Sequence, residues 1–140
     1  MKILGRIIGL AIFMHASTVA AYCDRYPTVQ EEFKSSELVV SATVVREKLV
    51  PDSEPTFYAG TIYYLKVNHI YKGAKITHLK LFSENTTSRF LMDIGTTYLV
   101  FANHEQDLFK NTNTYYINSC GNSKQIKDQS TELHISKFSP

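Results

Sequence analysis

The chain has 140 residues, 44% of them hydrophobic and 20% charged, enough for one hydrophobic core and too few for two. Fifteen basic against thirteen acidic residues leave a formal net charge of +2, without the one-sided field that nucleic acid or an anionic lipid surface demands.

Lys2 and Arg6 precede an apolar run from Ile7 to Met14, and small residues follow from Ala16 to Ala21. That order predicts a secretory signal peptide over residues 1–21, cleaved after Ala20 or Ala21, with 22–140 as a single domain. The run is shorter than the roughly 20 apolar residues of a spanning helix, so no stable membrane span is expected after cleavage. Tyr22 is too bulky to precede a lipid-modified Cys23. Without Lys2 and Arg6 the basic residues fall to thirteen, equal to the acidic ones.

Pro27 and Thr28 open a short predicted helix through Ser36, with Glu31 placed for a capping box and Val29 and Phe33 on one side. Glu31-Glu32 reads as a solvated helix face favoured near the N-terminus. From Leu38 the period changes to two, and β-branched residues run to Val45. Pro51 to Pro55 break that strand, and Thr61–Tyr71 form a second one. Lys72-Gly73-Ala74-Lys75 turn the chain into a third strand over Ile76–Ser83. Tyr98–Ala102 is continuously apolar and predicts a strand buried on both faces. Asn111–Asn113 mark a turn before a fifth strand, Thr114–Cys120, and the polar tail has room for a short C-terminal helix before Pro140. Five short strands after one helix predict a mainly β barrel or sandwich, closure being one way to remove exposed edges.

Cys23 and Cys120 would form a disulfide in an oxidising compartment. Two free thiols or a metal site are the alternatives, although His69, His78, His104 and His134 are not at zinc-ligand spacing from either cysteine. No nucleophile elbow, zinc-helix motif or phosphate-binding glycine loop occurs, so neither catalysis nor a cofactor is expected. Tyr63, Tyr64, Tyr71, Tyr115 and Tyr116 lack the interleaved basic residues of a nucleic-acid platform and read as packing tyrosines with wet hydroxyls. His69 and His78 flank the Lys72-Gly73 turn and read as a surface pair across a hairpin. Asn85-Thr86-Thr87 matches the glycosylation sequon, which matters only in a eukaryotic secretory route.

Several stretches are similar to one known family. They are Phe33–Val40, with its serine-acidic-aliphatic strand entry; Tyr64–Val67 running into Ile70–Gly73; Gly95–Ala102; and Tyr116–Gly121, ending in a cysteine. In order and spacing the chain resembles the netrin-like domain of the tissue inhibitors of metalloproteinases, in its reduced bacterial form. The resemblance implies a five-stranded antiparallel OB-type closed barrel with flanking short helices, and a bridge from Cys23 to Cys120 tying the N-terminal strip to the last strand.

The family inhibits zinc proteases through a terminal cysteine whose amine and carbonyl chelate the metal. Ala21 stands in that place here, and Ser83–Arg89 carries no cysteine for the second bridge that would pin it; an unpinned strip costs binding energy when ordered. The chain is therefore expected to be a secreted or periplasmic, non-catalytic module binding a protein partner. The alternative is inhibition of a zinc metalloprotease. Either role would use a ridge of Ala21, Tyr22 and Cys23 with Glu84, Asn85, Thr86, Thr87, Ser88 and Arg89.

Overall fold

The computed structural model describes residues 23–54, 56–104, 113–127 and 134–138. The expected leader (1–21), Ala21 and Tyr22, Pro55, residues 105–112 including two of the 111–113 turn, and residues 128–133 and 139–140 of the tail lie outside the described residues.

Helix α1 spans Val29–Ser35 and starts as the sequence predicts. Thr28 is extended at φ −66° and ψ 155°. Its hydroxyl accepts the Glu31 amide at 3.2 Å, and the Glu31 carboxylate accepts the Thr28 amide at 2.8 Å. The last turn is closed from outside: the Lys72 ammonium donates to the Phe33 and Lys34 carbonyls at 2.8 and 2.7 Å, meeting the negative end of the helix with a cation.

Among the described residues six strands follow: β1 Leu38–Pro51, β2 Tyr58–Lys72, β3 His78–Glu84, β4 Thr97–His104, β5 Thr114–Ile117 and β6 Lys124–Gln125. The order β1-β2-β3-β5-β4, with β4 pairing back onto β1, closes five of them into a ring; β6 adds to β4 at Tyr98 and Leu99. The ring is not wholly antiparallel, because β3 and β5 run parallel, Leu81 beside Tyr115. Parity is the reason. Alternating directions cannot close on an odd number of strands, so one neighbouring pair of five must be parallel.

Strand β4 and the Leu38–Val44 half of β1 are buried on both faces. Leu38, Val40, Ala42 and Val44 point into the ring with Tyr98, Val100 and Ala102. Val39, Leu99 and Phe101 point outward beneath Phe33 of α1, Tyr71 and Ile135 of a helical turn at 134–136. The all-apolar reading of β4 is thus correct, and β1 shares its environment. Strand β1 also runs six residues past the predicted Val45, through Pro51. A register shift between Val44 and Arg46 coils it away from the ring, and β2 supports the extension as far as Pro51 opposite Tyr58. Pro51 sits at the strand end, where a missing donor is tolerated.

Candidate functional site

The N-terminal strip is fastened to the sheet at several points. Cys23 and Cys120 are joined in a disulfide, with Cα atoms 5.9 Å apart at a sequence separation of 97. The Asn122 side chain donates to the Pro27 carbonyl at 2.9 Å, and Arg25 pairs with Glu31. The Asn118 side chain accepts the Cys120 amide at 2.9 Å, setting the turn that presents the cysteine.

Glu32 completes this clasp, contrary to the sequence reading of Glu31-Glu32 as a solvated face. Glu31 is exposed, but Glu32 retains only 6% of its accessible surface. Its carboxylate accepts both the backbone amide and the side-chain amide of Asn122, the latter at 2.7 Å. A charge-assisted pair of this kind satisfies a buried carboxylate without a cation. Gly121 is what lets it approach, since a Cβ there would meet the Glu32 carboxylate and the Asn118 carbonyl. The Glu31 carboxyl is held below its ordinary 4.5 by hydrogen bonds from the Thr28 backbone and side chain, and by the Arg25 charge.

The predicted loop partner, Glu84–Arg89, is braced without a cysteine. Glu84 pairs with Gly60 at the end of β3. Asn85 extends that edge, its amide donating to the Ala59 carbonyl and its side chain to the Tyr58 carbonyl, both at 2.9 Å. Arg89 reaches back to the Asn85 side chain at 3.1 Å, while Thr86 and Ser88 share a hydroxyl contact at 3.3 Å. Thr87 sits between these two residues. Phe90 closes the turn by donating its amide to the Ser83 hydroxyl at 3.0 Å. Because β3 and β5 are parallel, with Phe82 beside Tyr116, this loop and the 118–122 turn leave the sheet at the same end of the pair. The strip through Cys23 is bonded to that turn; Ala21 and Tyr22 lie outside the described residues.

The chain matches no family model, and none of the curated proteins compared with it matches either.

The tyrosines are packing groups, as expected, but several are more deeply buried than "wet hydroxyl" suggests. Tyr63, Tyr71 and Tyr115 are buried. The Tyr63 and Tyr98 hydroxyls accept the Met92 and Asp93 amides at 3.3 and 2.9 Å, which ties the 92–93 segment to the strands. Burial pushes the Tyr63 phenol above its ordinary 10.0. Tyr115 moves the same way, through burial and the nearby negative charge of Glu37. Arg46 lies 3.8 Å over the outward Tyr64 ring.

His69 and His78 are not brought together by the register, which sets His78 opposite Lys66. Instead the His69 ring meets that of Tyr71 at a tilt of 60° with centroids 4.5 Å apart, and His78 contacts the Thr77 hydroxyl at 3.0 Å. Sequence reading missed the contact of the His104 ring with the Glu37 carboxylate at 2.7 Å; the two lie 67 positions apart, which leaves no local signal.

Among the described residues no three His, Cys, Asp or Glu side chains are placed to share a metal ion, and no helix is long and apolar enough to cross a membrane.

Proposed function

We propose that this protein is an exported, non-catalytic binding module built on an OB-type barrel of the netrin-like kind, and that it contacts a protein partner in the cell envelope or outside the cell. The observation that carries the reading is the clasp. A disulfide, a buried carboxylate and an asparagine together hold the N-terminal strip against the end of the last ring strand. A braced loop leaves the neighbouring strand at the same end. Rigid presentation of two short segments lowers the ordering cost of association. A five-stranded ring with one parallel closure fits a Greek-key barrel of OB type, and the disulfide suits an oxidising compartment.

A photo-crosslinking side chain at Asp24 or Ser88 tests this. The expected result is a covalent adduct with one protein partner in the exported fraction. The reading is lost if neither position yields an adduct, or if intact mass shows residues 1–21 retained on cytoplasmic protein.

The anchoring of Cys23 two residues behind Ala21 also favours a second reading, zinc-protease inhibition through the strip. N-terminal sequencing decides it. A start at Tyr22 removes the chelating residue, and a start at Ala21 with no inhibition in a zinc-endopeptidase titration removes the mechanism.

A further inference from the structure

A groove of about 690 Å³ lies away from the clasp, between the end of β2 and the 73–77 turn. The β2–β3 ladder stops at Lys66 opposite His78, followed by one backbone bond from the Val67 amide to the Thr77 carbonyl at 3.0 Å. Strand β2 nevertheless continues to Lys72, paired with β1 alone. Gly73 turns the chain away at φ 103°, where a Cβ would strike the Glu37 carbonyl. The edge of β2 beyond Val67, which continues from the β3 side, therefore has no strand beside it among the described residues.

Val67, Ile70 and Ile76 floor the groove and pack on the ring core. Its rim carries exposed His69 and Lys75, with Lys66 and His78 on the adjoining rung. No described residue lining it is acidic.

We infer that this groove takes an extended peptide segment of a protein partner, with apolar side chains alternating with Asp or Glu, added as a strand along the open edge of β2. Backbone pairing supplies affinity in such strand addition, and alternate side-chain pockets supply specificity. Here apolar side chains of the segment cover Val67, Ile70 and Ile76, and its carboxylates face Lys75 and His69. The inference deepens the binding-module reading and rests on it.

The test uses the disulfide-intact protein and a fluorescein-labelled heptapeptide alternating Val and Glu, followed by anisotropy and by amide NMR shifts. Binding with shifts at Val67–Ile70 and Lys75–Thr77 is expected. Lys75→Glu, or proline at alternate peptide positions, should weaken it at least tenfold. Three results overturn the groove: no binding, equal binding of a peptide with Lys in place of Glu, or shifts confined to residues 84–89 and 118–122. Concentration-dependent self-association that shifts the same amides would assign the edge to a second copy and overturn it as well. The binding-module reading stands or falls separately, on the Asp24 and Ser88 crosslinks, which the Lys75 variant does not touch.

Discussion

The clasped end and the open groove end of this molecule solve the same problem in opposite ways. At the clasp, each protruding backbone segment is tied down: Cys23 to Cys120, Asn122 to Pro27 and Glu32, Asn85 to Tyr58 and Ala59. At the groove, β2 outruns its β3 partner and, among the described residues, keeps an unpaired edge above an apolar floor. The clasp invests in order that long-range contacts must maintain. The groove leaves unspent pairing capacity on a strand already held by β1. Perturbing the first should cost stability, and perturbing the second should cost only recognition.

The largest effect should come from opening the disulfide. Closing a loop of roughly 100 residues restricts the unfolded chain by about 4.7 kcal/mol in the loop-entropy model. Cys23→Ser with Cys120→Ser should therefore lower the unfolding free energy by several kcal/mol, read as a lower guanidinium midpoint, and an unchanged midpoint would show that the bridge closes nothing that matters.

Glu32→Ala comes next. It strips the acceptor from two Asn122 donors, and hydrogen bonds to a buried charge are worth about 1.5–3 kcal/mol. Glu32→Gln keeps the shape and should lose less; equal losses in denaturant titration would argue that the charge is irrelevant. Thr28→Ala removes a helix cap and should cost about 1 kcal/mol by the same measurement.

Two pH limbs follow from the shifted groups. Glu31 has a lowered folded value, so its contribution is present above about its ordinary value and is lost as pH falls through the folded one. Glu31→Gln should flatten the stability profile below pH 4.5. Tyr63 and Tyr115 have raised values. Above pH 10 the unfolded chain loses phenolic protons that the folded chain keeps, so stability falls as pH rises. Tyr63→Phe should reduce that alkaline slope in thermal melts recorded from neutral to alkaline pH.

The smallest effect should be at the groove. Lys75 is exposed, so Lys75→Glu should change stability by less than about 0.5 kcal/mol. A larger loss in the same denaturant titration would mean that the two ends are not independent.

Much of the fold was legible because it is written in local pattern. The Thr28–Glu31 capping box, the alternation of β1, the doubly buried β4 and the turn at Gly73 each depend on neighbours within a few residues. Counting the strands left barrel and sandwich open; the closure of five of them into a ring is what the structure adds. So is its parallel β3–β5 pair, although parity demands one such pair whenever five strands close. The site was legible in part: the cysteines and the Glu84–Arg89 loop could be named, but the bonds that brace that loop could not.

What the residue order determined by itself was where helix and strand begin, which strand faces are apolar, and that two cysteines were available to each other. Only the tertiary structure decided that Glu32 is buried against Asn122, 90 residues away, that β1 runs on to Pro51, and that β2 keeps an edge with no strand beside it among the described residues. The physical reason is one of range. Periodicity and caps report on contacts between sequence neighbours, whereas burial of a charge and the partner of a strand edge depend on which distant segments the closed ring brings alongside.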